Sequence, residues 1–312
     1  MIPTKQDLLN ARDRIAPYTH KTPVLTSKSI NKIIGIHVYF KCENFQKMGA
    51  FKMRGASNAL LKLSENVRNK GVTTHSSGNF AQAVALSAKL TNTKATIVMP
   101  RNAPAVKKRA VLGYGATVID CESTLESRES TADKVVKETG ATLLHPYNCY
   151  NVIEGNSTAT QELFEQTNQL DAIFAPIGGG GLISGTALAA NYFSSSKVFG
   201  GEPVGADDAC RSFKSGKLVP VINPNTIADG LRTSLGDKGF GIIKEHVQDI
   251  FTVEENEIID AMKLVWERMK IIIEPSSAVP LAALINQKNQ FKNKHIGIIV
   301  SGGNVDLKHN FF

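Results

Sequence analysis

Short runs of β-branched and apolar residues recur along this chain with helical stretches between them, and that alternation constrains the fold more than any other feature. The runs are His37 to Cys42, Val72 to His75, Ala95 to Met99, Thr117 to Cys121, Ala172 to Ile177, Lys197 to Phe199, Ile250 to Val253 and Ile296 to Val300. Between them lie segments of helical periodicity such as Ala81 to Leu90 and Ala105 to Leu112. Strand, helix, strand in this rhythm is the pattern of parallel sheets joined by helical crossovers. The expectation is an α/β protein of open, twisted parallel sheets with helices on both faces. At 312 residues the chain can form two domains sharing one cleft, and no fixed repeat or low-complexity linker divides it. A discontinuous domain is therefore expected rather than two units in tandem.

Composition excludes several function classes. The longest apolar runs, Ile173 to Ile177 and Ile296 to Val300, fall far short of the roughly 18 residues of a membrane span, so no membrane partner is expected. The N-terminus carries an acid, Asp7, and no apolar signal core, which reads as cytoplasmic. Cys42, Cys121, Cys149 and Cys210 are widely spaced and form no CxxC pair, against a zinc cluster or a disulfide scaffold. The formal charge of +8 is spread along the chain without aromatic interleaving, so it reads as a solvated basic surface and not as a nucleic-acid site.

Four motifs carry chemistry. In Glu43-Asn44-Phe45-Gln46-Lys47-Met48-Gly49-Ala50-Phe51-Lys52-Met53-Arg54-Gly55-Ala56, Lys52 stands between a glycine-containing turn and an apolar helix. An amine against apolar and aromatic neighbours titrates low, and only the neutral form attacks a carbonyl carbon, so Lys52 is a Schiff-base candidate. Gly178-Gly179-Gly180-Gly181-Leu182 follows an apolar strand and opens a small-residue helix. Backbone amides without Cβ obstruction at a helix start form a phosphate cradle, although a tight turn without ligand has the same composition. A dinucleotide fold would place GxGxxG in its first βα unit with an acid about 20 residues on, and that pattern is absent. Ser301, in Ser301-Gly302-Gly303-Asn304, ends a buried strand, where open α/β folds place ligands. His75-Ser76-Ser77-Gly78-Asn79-Phe80-Ala81-Gln82 links a strand to a helix, so its hydroxyls and amides either converge on an anion or cap the helix.

With these motifs in this order, from about Thr22 to Asp306, the chain closely resembles the fold-type II pyridoxal phosphate enzymes, specifically the serine/threonine dehydratase and serine racemase family. The resemblance implies a small domain at 73–148 inserted into a large one made of 1–72 and 149–312, with the cofactor between them. It implies that pyridoxal 5'-phosphate is held by Lys52, Phe51, Asn79, Gly178, Gly179, Gly180, Gly181, Leu182 and Ser301, and that Ser76, Ser77, Asn79, Arg128 and Thr233 meet a small amino-acid substrate. Lys52 would take the Cα proton, and elimination of water would yield a 2-oxo acid and ammonia. Ser301 would meet the pyridine nitrogen as a neutral hydroxyl, a milder electron-sink partner than a carboxylate. Ser77 stands where racemase-type members carry serine and many dehydratases carry alanine, which keeps a racemase with Lys52 and Ser77 as opposite-face bases as the alternative. The stretch Val265 to Lys270 also resembles the racemase pattern. A β-replacing synthase fits less well, because the segment at 273–276 is Ile-Glu-Pro-Ser. A non-catalytic amino-acid or nucleotide-binding protein on the same scaffold is the reading from another class.

Two positions are distinctive. Phe80 replaces the histidine that usually completes the Ser-Ser-Gly-Asn motif, removing a polar contact. Arg128 aligns with an arginine of racemase-like and hydroxyaspartate-cleaving members that can pair with a second carboxylate, although sequence alone favours a helix-surface arginine there. The resemblance further implies Mg²⁺ or Ca²⁺ at Glu202, the Ala206 carbonyl and Asp208, and a homodimer. ATP activation is left open: Ser27 to Ile30, Lys47 and Tyr114 resemble a nucleotide pocket, but Met48 and Ala50 stand where Thr and Ser often occur.

Overall fold

The computed structural model describes every residue except Pro104, His309 and Asn310, and every other side chain except those of Val106 and Leu125. Its strands are β1 (Val24–Leu25), β2 (His37–Cys42), β3 (Val72–His75), β4 (Ala95–Pro100), β5 (Thr117–Cys121), β6 (Thr142–Leu143), β7 (Ala172–Pro176), β8 (Lys197–Pro203), β9 (Asp249–Val253) and β10 (His295–Val300). They form a six-stranded sheet in the order β1-β2-β10-β7-β8-β9 and a four-stranded sheet in the order β5-β4-β3-β6. Every neighbouring pair is parallel except β1 with β2, which runs antiparallel with Val24 opposite Lys41. The strands of the smaller sheet all lie between β2 and β7 in sequence.

Burial follows from the patterning. β10 is buried along its whole length except for His295, as a central strand covered on both faces must be. Its alternate residues enter different cores: Ile296, Ile298 and Val300 join Phe40 and Phe174 on one face, while Ile299 joins Ile173 and Ala175 on the other. A third core, under the smaller sheet, holds Leu60, Phe80, Val84 and Ile97.

The helix Tyr150–Gln166 packs against both Lys52–Leu61 and Gly181–Phe193, and it approaches them so closely that side chains have no room. A Cβ on Gly155 would lie 2.4 Å from the Arg54 carbonyl oxygen, and one on Gly185 would lie 2.7 Å from that of Ile153. Beside this crossing is a buried ionic cluster. Arg54 pairs with Glu43 at 2.7 Å and Glu162 at 2.7 Å, and Lys41 reaches Glu162 at 2.6 Å. Removing one partner would strand a buried charge, a loss of about 3–5 kcal/mol. The cluster therefore fixes the segment that enters the helix beginning at Lys52. Among the described residues no helix is long and apolar enough to cross a membrane.

Candidate active site

The loops after β3, β7 and β10 leave the C-terminal ends of their strands, and they bring together residues far apart in sequence. Lys52 opens its helix directly after Phe51. Its Nζ lies 5.0 Å from the Phe51 ring centre and 5.7 Å from that of Phe80, and donates at 3.0 Å to the carbonyl oxygen of Pro146. Burial lowers the amine to about 8, with the charge of Glu274 opposing the shift. Phe80, read from sequence as a lost polar contact, is a buried ring that adds to the apolar burial around this amine.

The segments around Lys52 and Ser301 are joined along their backbones. Phe51 N–H donates to the Ser301 carbonyl at 2.9 Å, Gly303 N–H donates to Gly49 at 2.9 Å, and Ala50 bridges Gly302. The Ser301 hydroxyl is buried and lies 2.9 Å from that of Ser277, so it has a neutral neighbour.

The glycine run adopts a conformation that depends on its composition. Gly180 has φ +85°, and a Cβ on Gly179 would lie 2.2 Å from Cγ of Tyr147. Gly180 caps the helix Gly181–Phe193 without any side-chain hydrogen bond, so its first-turn amides are left for an anion. Leu182, in the first turn, is buried in the core. Thr233 is solvent-exposed beside the run, its hydroxyl 3.3 Å from where a Gly178 Cβ would stand.

The 75–79 loop also lacks a helix cap. Gly78 precedes the helix Asn79–Leu90 with no side-chain cap, so the capping alternative is not realised. Ser76, Ser77 and Asn79 are half-buried around this free helix start. Asn304 donates its side-chain amide to Asn79 Oδ1 at 3.0 Å, and Glu274 accepts from the Asn79 amide. Glu274 is buried, and burial raises it to about 7 with the charge of Asp229 adding to the shift. His145 and Tyr147 complete the wall, their rings meeting edge-on at 4.7 Å. Glu274, Asn304, Ser277, His145 and Pro146 were not singled out as site residues by sequence reasoning.

Arg128 lies on the helix Leu125–Thr139, half-buried, with Nε donating to the Thr124 carbonyl at 3.3 Å. It forms no ion pair among the described residues. Its charge instead adds to the burial that lowers His75 and opposes the burial that raises Tyr147. Glu202 and Asp208 are buried further along the same sheet edge. Both Glu202 oxygens accept backbone amides, from Ala209 at 3.1 Å and Cys210 at 2.8 Å, while Asp208 accepts the Leu235 amide at 2.8 Å. Asp208 Oδ1 is buried without a partner. No group of three or more His, Cys, Asp or Glu side chains among the described residues is arranged to hold a metal. The set expected here has two carboxylates and a carbonyl.

These residues fit pyridoxal phosphate: a lysine lowered to about 8, an uncapped glycine run whose neighbours leave no room for a Cβ, and a hydroxyl at a strand end. Two parallel-sheet α/β units carrying them define a fold-type II pyridoxal phosphate enzyme. The family described as "Pyridoxal-phosphate dependent enzyme" matches residues 15–302, and the chain belongs to it. The chain is 52% identical over 309 residues to a serine racemase of Dictyostelium discoideum, across 97% of this chain and 95% of that protein. It is 48% identical over 307 residues to a β-hydroxyaspartate dehydratase of Paracoccus denitrificans, across 98% of each. The solved structure of maize serine racemase matches with a TM-score of 0.97 at 47% identity, over 99% of this chain and 95% of that one.

Proposed function

We propose that this protein removes water from a small 3-hydroxy amino acid, L-serine, L-threonine or 3-hydroxyaspartate, releasing a 2-oxo acid and ammonia. The water lost at Cβ is regained when ammonia leaves, so the reaction needs no oxidant. The carrying observation is the Lys52 amine, lowered to about 8 against two aromatic rings and bonded to a carbonyl rather than a carboxylate. Such a group is a base near neutral pH. Pyridoxal phosphate, when bound, supplies the electron sink that acidifies the substrate Cα–H.

The chain's own residues then have these roles. Lys52 anchors the cofactor and takes the Cα proton. The Gly178 to Gly181 amides and that of Leu182 would hold the phosphate, Asn79 would donate to the ring oxygen, and Phe51 would lie against the ring. Ser301, with Ser277 behind it, would meet the pyridine nitrogen as a neutral partner and so supply a milder electron sink. Ser76, Ser77 and the free first turn of the helix Asn79–Leu90 take the substrate carboxylate, Thr233 lies beside it, and Arg128 selects an acidic side chain. Residues 73–148 form the clamp over a large domain of 1–72 and 149–312. Glu202, Asp208 and the Ala206 carbonyl hold Mg²⁺ or Ca²⁺, a reading supported by the orphaned Asp208 oxygen. The working unit is a cytoplasmic homodimer.

One observation supports a second reading. The Ser77 hydroxyl forms no hydrogen bond among the described residues and is half-buried in the uncapped loop. A hydroxyl so placed can return a proton to Cα from the face opposite Lys52, which is racemisation.

Purified protein with its visible cofactor absorbance, incubated with L-serine, D-serine, L-threonine and 3-hydroxyaspartate, decides between the readings. Keto acid without the opposite enantiomer supports the dehydratase. Accumulation of the enantiomer makes racemisation the main activity. Absorbance with neither product on any of the four would end both readings in favour of a silent binding protein.

A further inference from the structure

The Pro146 carbonyl that holds Lys52 is itself aimed by a histidine. His145 Nδ1 accepts the backbone N–H of Tyr147 at 3.4 Å and that of Asn148 at 3.0 Å, the pattern an Asx turn makes with a carboxamide oxygen. The N–H of Tyr147 and the C=O of Pro146 belong to one peptide plane, and in a trans peptide they point in opposite directions. Holding the N–H on one side therefore turns the carbonyl to the other, where Lys52 Nζ stands at 3.0 Å. The imidazole is fixed in turn by edge-on packing against His75 at 5.8 Å and Tyr147 at 4.7 Å.

Resting on the function proposed above, we infer that His145 is a positioning residue for the general base: it aims the Pro146 carbonyl so that the Lys52 amine has a fixed seat whenever it is not bonded to the cofactor. The carbonyl takes one N–H of the amine and leaves its lone pair for the Cα proton. A carboxylate in the same place would hold the amine as ammonium, whereas a carbonyl fixes its position with much less bias toward the charged form. The seat stays intact across the working pH range, because burial lowers His145 to about 4 and its Nδ1 remains an acceptor. The charges facing His145 are Lys52, Lys238 and His75, which reinforce that shift, and Asp237, which opposes it.

The test compares wild type with His145→Asn, whose Oδ1 can accept the same two amides, and with His145→Leu and His145→Ala, which cannot. In cofactor-free protein, trace acylation across pH 6–10 with quantification of the Lys52 peptide by mass spectrometry gives the apparent pKa of the amine. Losing a hydrogen bond to an ammonium lowers that value by roughly one unit. The expected result is a fall of that size in the Leu and Ala variants and a wild-type value in the Asn variant. In loaded enzyme, kcat falls about a hundred-fold in the Leu and Ala variants with KM little changed, since the amine loses its orientation rather than the substrate its grip. The Ala variant carries the prediction alone if the Leu variant does not accumulate folded. An unchanged Lys52 value in Leu and Ala, or equal losses in Asn, Leu and Ala, would overturn the inference. The acylation result does not depend on which substrate is turned over, so it survives or fails separately from the dehydratase reading.

Discussion

The side-chain amide of Asn79 donates to both carboxyl oxygens of Glu274, at 3.0 and 3.1 Å. Asn304 supplies the amide that reaches Asn79 Oδ1 and also donates its backbone N–H to Glu274 at 3.2 Å. Glu274 and Asn304 together fix which way the Asn79 amide faces, and that amide is the donor proposed for the ring oxygen of a bound cofactor. Glu274 is raised from the ordinary 4.5 to about 7, so between those values the folded protein keeps a proton that the unfolded chain has released. The contribution of this group to stability falls as pH rises through that window and levels off above it. We predict that between pH 4.5 and 7 cofactor-free wild type loses on the order of 3 kcal/mol relative to Glu274→Gln, read from the difference between their melting curves; the shifted Asp208, Glu202 and His145 are common to both proteins and cancel in that difference. In Glu274→Gln turnover falls about ten-fold or more as Asn79 loses its fixed orientation. Parallel slopes in the two proteins would show that Glu274 does not titrate in this window.

The two reactions proposed above share their first proton transfer, and Ser77 is the residue proposed to separate them. Ser77→Ala is expected to cut formation of the opposite enantiomer by about 100-fold or more while keto acid formation stays within a few-fold. Chiral chromatography and a coupled keto acid assay on one reaction mixture give both rates. A proportional loss of both would leave Ser77 as a carboxylate ligand only.

Arg128 has no carboxylate partner among the described residues, and its charge is felt at His75 and Tyr147 in the wall of the site. Arg128→Ala should lower kcat/KM for 3-hydroxyaspartate by about ten- to a hundred-fold relative to serine, the size of a lost charged hydrogen bond. If both substrates suffer alike, the arginine plays no part in selecting the side chain.

The unpartnered oxygen of Asp208 is the foothold proposed for a cation. Saturating Ca²⁺ or Mg²⁺ should raise the melting temperature of wild type by several degrees, since a ligand at 100 times its Kd adds about 2.7 kcal/mol. Asp208→Asn should show no such rise. A chelator without effect on wild-type melting or activity would remove the site.

The long strands were legible because they concentrate β-branched residues, as in His37 to Cys42 or Ile296 to Val300. β1 and β6, two residues each, carry no period for a sequence to reveal. Lys52, the glycine run and the Ser301 turn were visible as local motifs. Glu274 was noticed only as part of Ile-Glu-Pro-Ser, because its partner Asn79 lies 195 positions away and no local pattern couples them. Pro146 and Tyr147 lie near the end of the 73–148 segment, and nothing in their composition says that one carbonyl faces a lysine 94 positions earlier. The 73–148 boundary likewise came from resemblance and not from periodicity, and β3 begins at Val72.

The backbone bonds that tie Phe51 to Ser301 and Gly49 to Gly303 have an evolutionary consequence. They make the lysine and the hydroxyl that would meet opposite parts of one aromatic ring a single rigid fixture, which cannot be retuned at one end without disturbing the other. The loop from His75 to Phe80 hangs from a different sheet and shares none of those backbone bonds. Under the function proposed above, selection can therefore rewrite Ser76 and Ser77, exchanging one outcome at Cα for another, while Asn79, tied to Asn304 and Glu274, stays with the fixture.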